Sequence, residues 1–530
     1  MTLVAMTHVH VARETPAPAG NSPRRRRVIS ALFLLQLLAC ASPAPSPQNA
    51  APGRAGARAE ATAWWRDDVF YEIYPRSFAD SNGDGTGDLR GITEHLDDLR
   101  ALGVDAIWLT PIHPTPSEHG YDVLDYEGVA ADLGTIADVE ALTAAAHTRG
   151  MHVVLDFVLN HSSLAHPWFR AHSDYYVWRD APDDRWHRPW DNTSVWHRDE
   201  ATGRHYLGLF WSGMPDLNLA NPAVVDAMTH AMRFWLEHGV DGFRIDAARH
   251  LVEVDEGERV QMTDTAATHD VVQRIRTDLH RTHPNAILVA EAWASTSEIA
   301  AYSKEFDLVF SFGVAGGLVD ALTLQERAPL VEALQGAEAA FRGERQHEAP
   351  FLTNHDMVRV MRQLDGDGAR ARLGAATLLA LPGTPFLYYG EEVGMQGLEG
   401  RDDAFKRTKL DWRDVDAQRN DPTSLWRTYQ RAIALRRAHV ALHSGDAVRP
   451  DMHGGGRGAF ALLRTRGSER VVFVANFAKE TARDFTVAVN GAPTLLVADG
   501  VDGVRSHGGA LHVDVMAPHA FALIALAANR

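Results

Sequence analysis

The chain has 530 residues, 45% of them hydrophobic, with 69 acidic against 52 basic side chains and a formal net charge of -17. This length predicts one large folded domain with a smaller one attached, and the composition excludes a globally disordered chain. The negative charge disfavours nucleic acid and anionic lipid surfaces, so we expect a neutral or cationic partner such as a polysaccharide.

The N-terminus has the pattern of an export signal. Residues 24–27 are all arginine, residues 28–38 form an apolar run too short to cross a bilayer, and a Leu-Leu-Ala triplet precedes Cys40. Residues 1–40 therefore resemble a lipoprotein signal peptide that ends in a lipobox, where the Cys40 thiol is acylated and becomes the mature N-terminus. The alternative is an ordinary signal peptide cut nearby. We expect an exported, membrane-anchored protein in the periplasm or at the cell surface.

After the signal, residues 41–62 are rich in Ala, Pro, Gly and Ser, which predicts a flexible tether. From about Trp64, apolar runs typical of strands alternate with stretches of helical periodicity. Because eight alternating strand and helix units favour a parallel sheet closed on itself, we predict a (β/α)8 TIM barrel made of residues 63–161 and 222–442. The predicted strands are 69–74, 104–109, 152–157, 240–245, 286–290, 307–312, 350–353 and 385–389.

Two intervals depart from this alternation. Residues 162–221 are dense in Trp, His, Asp and Arg and lack sustained periodicity, which predicts an irregular excursion, domain B, after the third strand. Its tryptophans Trp168, Trp178, Trp186 and Trp196 fit a sugar-stacking surface and a small core of the excursion equally well. Residues 443–530 contain short alternating segments separated by Gly and Asn, which predicts a C-terminal antiparallel β-sandwich.

Two carboxyl residues lie at the ends of consecutive predicted strands, where barrel enzymes keep their chemistry. Asp246 ends strand four and Glu291 follows strand five, while Arg244 precedes Asp246 by two residues and so shares its face. Retaining hydrolysis of a glycosidic bond needs two carboxyl groups about 5 to 5.5 Å apart, one ionised and one protonated. We expect Arg244 to keep Asp246 ionised, and burial beside Trp293 to keep Glu291 protonated.

Gly242-Phe-Arg244-Ile-Asp246, the Glu291 segment and Asn354-His355-Asp356 occur in this order, and from about Trp64 onward the chain resembles the α-amylase family, glycoside hydrolase family 13. The resemblance implies that Asp246 is the nucleophile, Glu291 the general acid/base, and Asp356 a third carboxylate that binds sugar hydroxyls and distorts the ring.

The resemblance also implies a set of sugar-binding residues. His161 and His355 would hydrogen-bond the sugar in the −1 subsite, Arg244 would orient the nucleophile, and Tyr121 would stack on the sugar or instead pack at the barrel rim. Arg407 matches a family arginine that meets the −1 glucose, although its flanking residues depart from the pattern.

Three features of the sequence bear on specificity. Arg249 and His250 follow the nucleophile in an amylase-like pattern in which such residues touch the +1 or +2 sugar, with Arg249 in place of the more usual Lys. Glu118 stands where an exo-acting glucosidase usually has Asp. The segment Met214-Pro-Asp-Leu-Asn218 resembles the one found in the family group that is intermediate between oligo-1,6-glucosidases and neopullulanases. Periplasmic lipoprotein α-amylases belong to this group.

A Gly-rich loop after the first strand carries oxygen-bearing side chains at alternate positions, which suits Ca²⁺. They are Asp80, Asn82, Asp84, Thr86 and Asp88. Related family members carry a metal in this loop, with a backbone carbonyl at the Thr86 position; the alternative is a metal-free loop of Asx turns.

We therefore predict a retaining enzyme that cuts internal α-1,4 bonds in starch, glycogen or maltodextrins, with Ca²⁺ as its metal and no nucleic-acid partner. The alternatives are an exo-acting α-glucosidase or oligo-1,6-glucosidase, and a transglycosylase such as a trehalose synthase, which uses the same intermediate and differs in acceptor access. A non-catalytic carbohydrate-binding barrel is disfavoured because all three carboxylates are present.

Overall fold

The structure is a computed structural model that describes residues 63–400 and 402–527. The predicted signal peptide, Cys40 and the tether lie outside the described residues. Among the residues described, no helix has the length and apolar character needed to cross a membrane.

Eight parallel strands form the centre of the molecule. They are Phe70–Ile73, Ala106–Leu109, His152–Phe157, Gly242–Ile245, Ile287–Ala290, Leu308–Phe310, Glu348–Ala349 and Phe386–Tyr388, called barrel strands 1 to 8 below. Each strand pairs with its successor from 1 to 7, and strand 8 pairs with strand 1. Strands 7 and 8 are joined because Thr384 and Phe386 donate backbone hydrogen bonds to the carbonyls of Glu348 and Pro350 at 2.8 and 2.9 Å. The predicted TIM barrel is confirmed.

One predicted strand was misplaced, and another ends earlier than predicted. Strand 7 ends at Ala349 instead of running over 350–353, because Pro350 has no N–H to donate and the N–H of Thr353 donates to the Glu391 carboxylate at 3.2 Å. Strand 6 ends at Phe310, and Phe312 already begins a helix. Both errors lie at strand ends, where an apolar run continues into the next element.

Helices cover the outside of the barrel. The helices of the described chain are Pro75–Phe78, Leu89–Glu94, Leu96–Leu102, Ile136–Thr148, Pro167–Ala171, Pro222–Glu237, Ala266–His280, Thr296–Ala301, Phe312–Leu324, Ala328–Phe341, Val360–Gln363, Gly368–Ala380, Asp403–Lys406, Trp412–Asn420, Leu425–Ala438 and Val440–Ser444, with 3-10 turns at Trp64–Arg66, Ser173–Tyr175, Tyr302–Lys304, Arg345–His347 and Glu391–Val393. Helix Pro222–Glu237 has a proline at its first position, and the Asn221 side chain caps it by accepting a hydrogen bond from the N–H of Ala223.

The excursion after strand 3 contains a small antiparallel sheet of Trp178–Arg179, Trp196–Arg198 and His205–Leu207. Trp186 and Trp196 are buried in its own apolar cluster, and Trp168 and Trp178 are partly buried against the barrel core. These four tryptophans therefore serve packing, which was one of the two interpretations of the sequence.

A short hairpin after barrel strand 4, Val254–Asp255 and Val260–Gln261, was not expected from the sequence. Met262 is buried within the excursion's apolar cluster, and Val260 packs against that cluster. The hairpin is thus held against the excursion.

The C-terminal region is an antiparallel sheet with its own apolar core. Its strands are Asp446–Val448, Met452–His453, Ala459–Arg466, Glu469–Asn476, Ala482–Val487, Ala492–His507 and Ala510–Ala527. The predicted C-terminal antiparallel β-domain is confirmed, and the long strand Ala510–Ala527 pairs with three of its other strands.

Candidate active site

The residues proposed for chemistry gather where the barrel strands end. Asp246 and Glu291 directly follow strands 4 and 5, and His161 lies four residues beyond strand 3. Asp356 is in the segment after strand 7, and Tyr121 is in the loop after strand 2. Parallel strands end at one face of the barrel, so residues far apart in sequence meet there.

A single buried guanidinium joins the two predicted catalytic carboxylates. Arg244 Nη1 lies 2.7 Å from Asp246 Oδ1 and 2.8 Å from Asp156 Oδ1, and Nη2 lies 3.9 Å from Glu291 Oε2. The Arg244 side chain is only 1% exposed. Because a buried charge is costly unless it is paired, these carboxylates and Arg244 depend on one another.

Glu291 is held by the backbone next to Asp246. Ala247 N–H donates to Glu291 Oε2 at 2.9 Å, and Ala247 has a positive φ of 47°, a conformation that costs a non-glycine residue free energy. Strained backbone of this kind is concentrated at functional sites. Here the strained conformation of Ala247 directs its N–H toward the Glu291 carboxylate.

Burial raises the pKa of Glu291 to about 7; the Arg244 guanidinium opposes this, and the charges of Asp246 and Asp356 reinforce it. A group with this pKa can give and take a proton near neutral pH. Trp293, which we expected to enclose Glu291, is 50% exposed and stacks on Phe312 at 4.7 Å between ring centres.

Asp356 lies between two cations. Its Oδ1 accepts from Arg407 Nη2 at 2.8 Å, and its Oδ2 lies 3.2 Å from His355 Nε2. Burial alone would raise the pKa of Asp356, but the charges of His355, Arg407 and Arg244 hold it well below its usual range. The structure thus places Arg407 beside the third carboxylate, and that carboxylate is ionised.

His355 is fully buried between carboxylates. Its Nδ1 lies 2.5 Å from Glu72 Oε1 on barrel strand 1. Burial would lower the pKa of His355, but Asp356 and Glu72 raise it to about 9, so the ring is an imidazolium at neutral pH. Glu72 was not predicted from the sequence, although a charged residue inside the otherwise apolar strand Phe70–Ile73 was a signal for it.

Tyr121 connects this pair to Arg244. Its hydroxyl lies 2.6 Å from His355 Nε2 and donates to Asp156 Oδ2 at 3.1 Å, while its ring stacks on the imidazole. Burial raises the pKa of Asp156 to about 6, with Arg244 opposing. Asp156, for which the sequence suggested no role, completes a continuous network from Glu72 to Asp246.

His161 has an open hydrogen-bonding position. Its Nε2 is buried and has no hydrogen-bond partner within the described residues, and burial lowers the pKa of His161 to about 4. Buried polar atoms are normally satisfied, so a neutral ring nitrogen in this position suits a sugar hydroxyl.

Arg249 and His250 make contacts with loops of the protein. The Arg249 guanidinium pairs with Asp264 and donates to the carbonyl of Trp293 at 2.8 Å, which ties the loop after strand 4 to the loop after strand 5. His250 Nδ1 lies 3.2 Å from the carbonyl of Met262, and its ring meets Phe210 edge-on. Both residues follow the nucleophile in sequence, and the Arg249 guanidinium and His250 Nδ1 are engaged by these loops.

The loop that follows strand 1 is organised by its own side chains. Asp80 accepts from the N–H groups of Gly83 and Gly85 at 2.7 Å each, Asn82 accepts from Asp84 N–H at 2.8 Å, and Asp84 accepts from Thr86 N–H at 2.7 Å. Asp88 accepts from Gly91 N–H at 2.7 Å and so caps helix Leu89–Glu94.

Carboxylate and amide oxygens around a tight turn have the chemistry of a hard-cation site, and each oxygen has lone pairs beyond the one that these turns use. In residues 63–400 and 402–527, no group of three or more Asp, Glu, His or Cys side chains is arranged to hold a metal ion.

Comparisons with known proteins agree with this geometry. A family model described as Alpha amylase, catalytic domain, matches residues 72–414. Alpha-amylase 3 of Dictyoglomus thermophilum is 34% identical, over 73% of this chain and 80% of that protein. A trehalose synthase of a Pimelobacter species is 35% identical, over 63% of this chain and 68% of that protein. An oligo-1,6-glucosidase of Parageobacillus thermoglucosidasius is 30% identical, over 79% and 91% of the two chains.

Among solved structures, an α-amylase from H. orenii is similar with a TM-score of 0.77 and 32% identity, covering 87% of this chain and 99% of that one. Relatives of comparable similarity thus carry three different activities on one fold.

Proposed function

The chain belongs to the α-amylase family, glycoside hydrolase family 13, and on that basis we propose that it is a retaining hydrolase of internal α-1,4-glucosidic bonds in starch, glycogen or maltodextrins. The observation that supports the proposal most directly is that Asp246 and Glu291 contact the same buried Arg244 and differ in their surroundings.

In the first step the Asp246 carboxylate attacks the anomeric carbon, and Glu291 gives its proton to the leaving glycosidic oxygen as that bond breaks. The products are a covalent glucosyl ester on Asp246 and the released sugar. In the second step Glu291, now ionised, takes a proton from water while the water oxygen displaces Asp246, which restores both carboxyl groups.

The remaining residues bind and shape the sugar. Asp356 is ionised and accepts hydrogen bonds from sugar hydroxyls, and the open Nε2 of His161 bonds another. Hydroxyl contacts that strengthen as the ring flattens stabilise the transition state. Glu72 and Asp156 act through His355, Tyr121 and Arg244 and are positioning residues.

An endo-acting amylase is favoured over an exo-acting glucosidase by two features. Arg249 and His250 follow the nucleophile, and an exposed Glu118 stands where an exo-acting enzyme usually has Asp. A transglycosylase is the second candidate, because a trehalose synthase is as similar to this chain as an amylase is.

The product profile tests the proposal. We expect purified enzyme to release a ladder of oligosaccharides from maltoheptaose at early times, with activity abolished in the Asp246→Asn variant and reduced to a small residual rate in the Glu291→Gln variant. Glucose alone at early times would identify an exo-acting enzyme, and trehalose formed from maltose would identify a transglycosylase. Unchanged rates in either variant would refute the catalytic assignment.

We also propose that the strand 1 loop binds Ca²⁺ through Asp80, Asn82, Asp84, Asp88 and the Thr86 carbonyl, where the ion would tie the loop together. A ligand that binds only the folded state stabilises it by about 2.7 kcal/mol at 100 times its Kd. Adding Ca²⁺ to EDTA-treated protein should therefore raise Tm, and Asp84→Ala should abolish the rise. A Tm that is the same with and without Ca²⁺ would contradict the proposal.

For the N-terminus we propose export and acylation of Cys40. The expected result is that the protein fractionates with membranes from its native cells and that Cys40→Ser releases it. Recovery of the wild-type chain in the soluble fraction would contradict the anchor.

A further inference from the structure

A cavity of about 630 Å³ lies between the excursion and the hairpin that follows barrel strand 4, outside the set of residues that surround Asp246 and Glu291. One wall is formed by Arg185 and residues 187–192 of the excursion and the other by residues 259–263. Its volume falls within the range of ligand pockets, about 300 to 1,000 Å³. The walls are fixed relative to each other, because Met262 and Val260 pack into or against the apolar cluster of the excursion.

A series of aromatic rings leads from the catalytic centre to this cavity. The Phe210 ring lies 5.4 Å from the His161 ring and 5.4 Å from the half-buried Trp190 ring, which it stacks. Trp190 lines the cavity and also meets His250 edge-on at 5.8 Å. The cavity wall is therefore linked to His161 in the sugar-binding centre by two ring contacts, through Phe210.

The lining combines an aromatic ring with polar groups that are mostly neutralised. Arg185 is paired with Asp183 and Asp255, and Arg188 with Asp191. Arg259 is exposed and makes no ion pair within the described residues. Gln261 donates to the carbonyls of Thr263 and Asp264 at 3.1 and 3.3 Å, which fixes its amide.

From this arrangement we infer that the cavity is a distal subsite for a neutral oligosaccharide chain whose reacting unit lies at Asp246. The Trp190 ring provides an apolar face for a glucose ring, and Arg259 and Gln261 provide hydrogen bonds to its hydroxyls. This inference rests on the proposed function and extends it. Such a subsite would raise the affinity for substrates that are longer than those that fill the centre alone.

Binding to a catalytically inactive enzyme tests the subsite independently of turnover. In a Glu291→Gln background, maltoheptaose should bind more tightly than maltotriose by isothermal titration calorimetry. Adding Trp190→Ala should weaken maltoheptaose binding about tenfold, and Arg259→Ala about threefold, while maltotriose binding changes less than twofold. Trp190→Phe is the matched control and should retain most of the difference, because it keeps an aromatic ring.

The outcomes separate the two proposals. Equal affinity for the two sugars, or an equal loss for both sugars in Trp190→Ala and Arg259→Ala, would overturn the distal subsite. Because Arg259 is exposed, its substitution leaves the fold intact even if Trp190→Ala does not. A wild-type enzyme that forms only glucose or trehalose, but shows the expected binding pattern, would overturn the endo-acting function and leave the subsite standing.

Discussion

Arg244 determines how charge is distributed in the centre of the site. It is buried with three carboxylates, those of Asp246, Asp156 and Glu291, within 4 Å of its guanidinium nitrogens. One cation cannot neutralise all three, and Glu291 is the most distant of them. Glu291 therefore gains the least electrostatic stabilisation of its ionised form, which favours its protonated form.

The pH dependence of activity follows from Glu291. The acid is active while protonated, so kcat/KM on maltoheptaose should fall about tenfold per pH unit once the pH exceeds the Glu291 pKa of about 7. The residual activity of Glu291→Gln should lack this decline, and returning enzyme from pH 9 to pH 6.5 should restore the rate. A rate that stays flat to pH 9 would contradict the acid role of Glu291.

At the scale of elements, two buried arginines hold the end of helix Gly368–Ala380, one from the C-terminal sheet and one from the barrel helix Leu425–Ala438. Arg464 donates to the carbonyls of Ala380 and Gly445 at 2.7 and 2.9 Å, and Arg436 donates to those of Leu379 and Leu381 at 3.0 and 2.9 Å. Three of these carbonyls lie at the C-terminal end of helix Gly368–Ala380, where backbone acceptors have no partner within the helix. Both side chains thus cap the helix, and Arg464 also binds the C-terminal sheet to it.

Loss of the Arg464 donors should destabilise the protein. Arg464→Met leaves the buried carbonyl of Ala380 unpaired, at a cost of about 1–3 kcal/mol, together with the partly buried carbonyl of Gly445. We expect a lower denaturation midpoint in urea for this variant, and no change for Arg466→Met, an exposed position on the same strand. Equal stability of the Arg464→Met variant and the wild type would show that the carbonyls find other partners.

The strands and the polar residues at their ends were predictable from sequence, because both are local patterns. Asp246 and Glu291 follow apolar runs, and the structure places them together as expected. Glu72 and Asp156 were not predictable in their roles, because their partners are distant in sequence: Glu72 meets His355, 283 residues away. Strand 7 was misplaced because the apolar run Pro350-Phe-Leu continues beyond Ala349, where the strand ends.

For the whole molecule, the buried ionisable groups fix how stability varies with pH. Burial raises the pKa of Glu391 to about 8 and of Glu392 to about 7, and carboxylates hold the pKa of His355 at about 9. Each of these groups keeps its proton more firmly in the folded state than in the unfolded state. The stability that they contribute is complete below their unfolded pKa values and is lost as the pH rises through the folded ones.

Thermal unfolding should therefore occur at a lower temperature at pH 9 than at pH 6.5. The buried neutral histidines do not offset this, because the depressed pKa of His113, about 4, affects stability only below pH 6.5. Calorimetry across this range, at constant ionic strength and in EDTA, measures the effect. A Tm that rises toward pH 9 would contradict the assigned protonation states.

The most direct test of the account is to trap the covalent intermediate on Asp246. A fluorinated α-glucosyl fluoride, which slows the second step more than the first, should add one glucosyl group to the enzyme, and peptide mass spectrometry should locate it on Asp246. Asp246→Asn should remain unlabelled, and Glu291→Gln should be labelled, since fluoride leaves without help from an acid. A label on any other residue, or none on an enzyme that turns over maltoheptaose, would contradict the proposed pairing of nucleophile and acid.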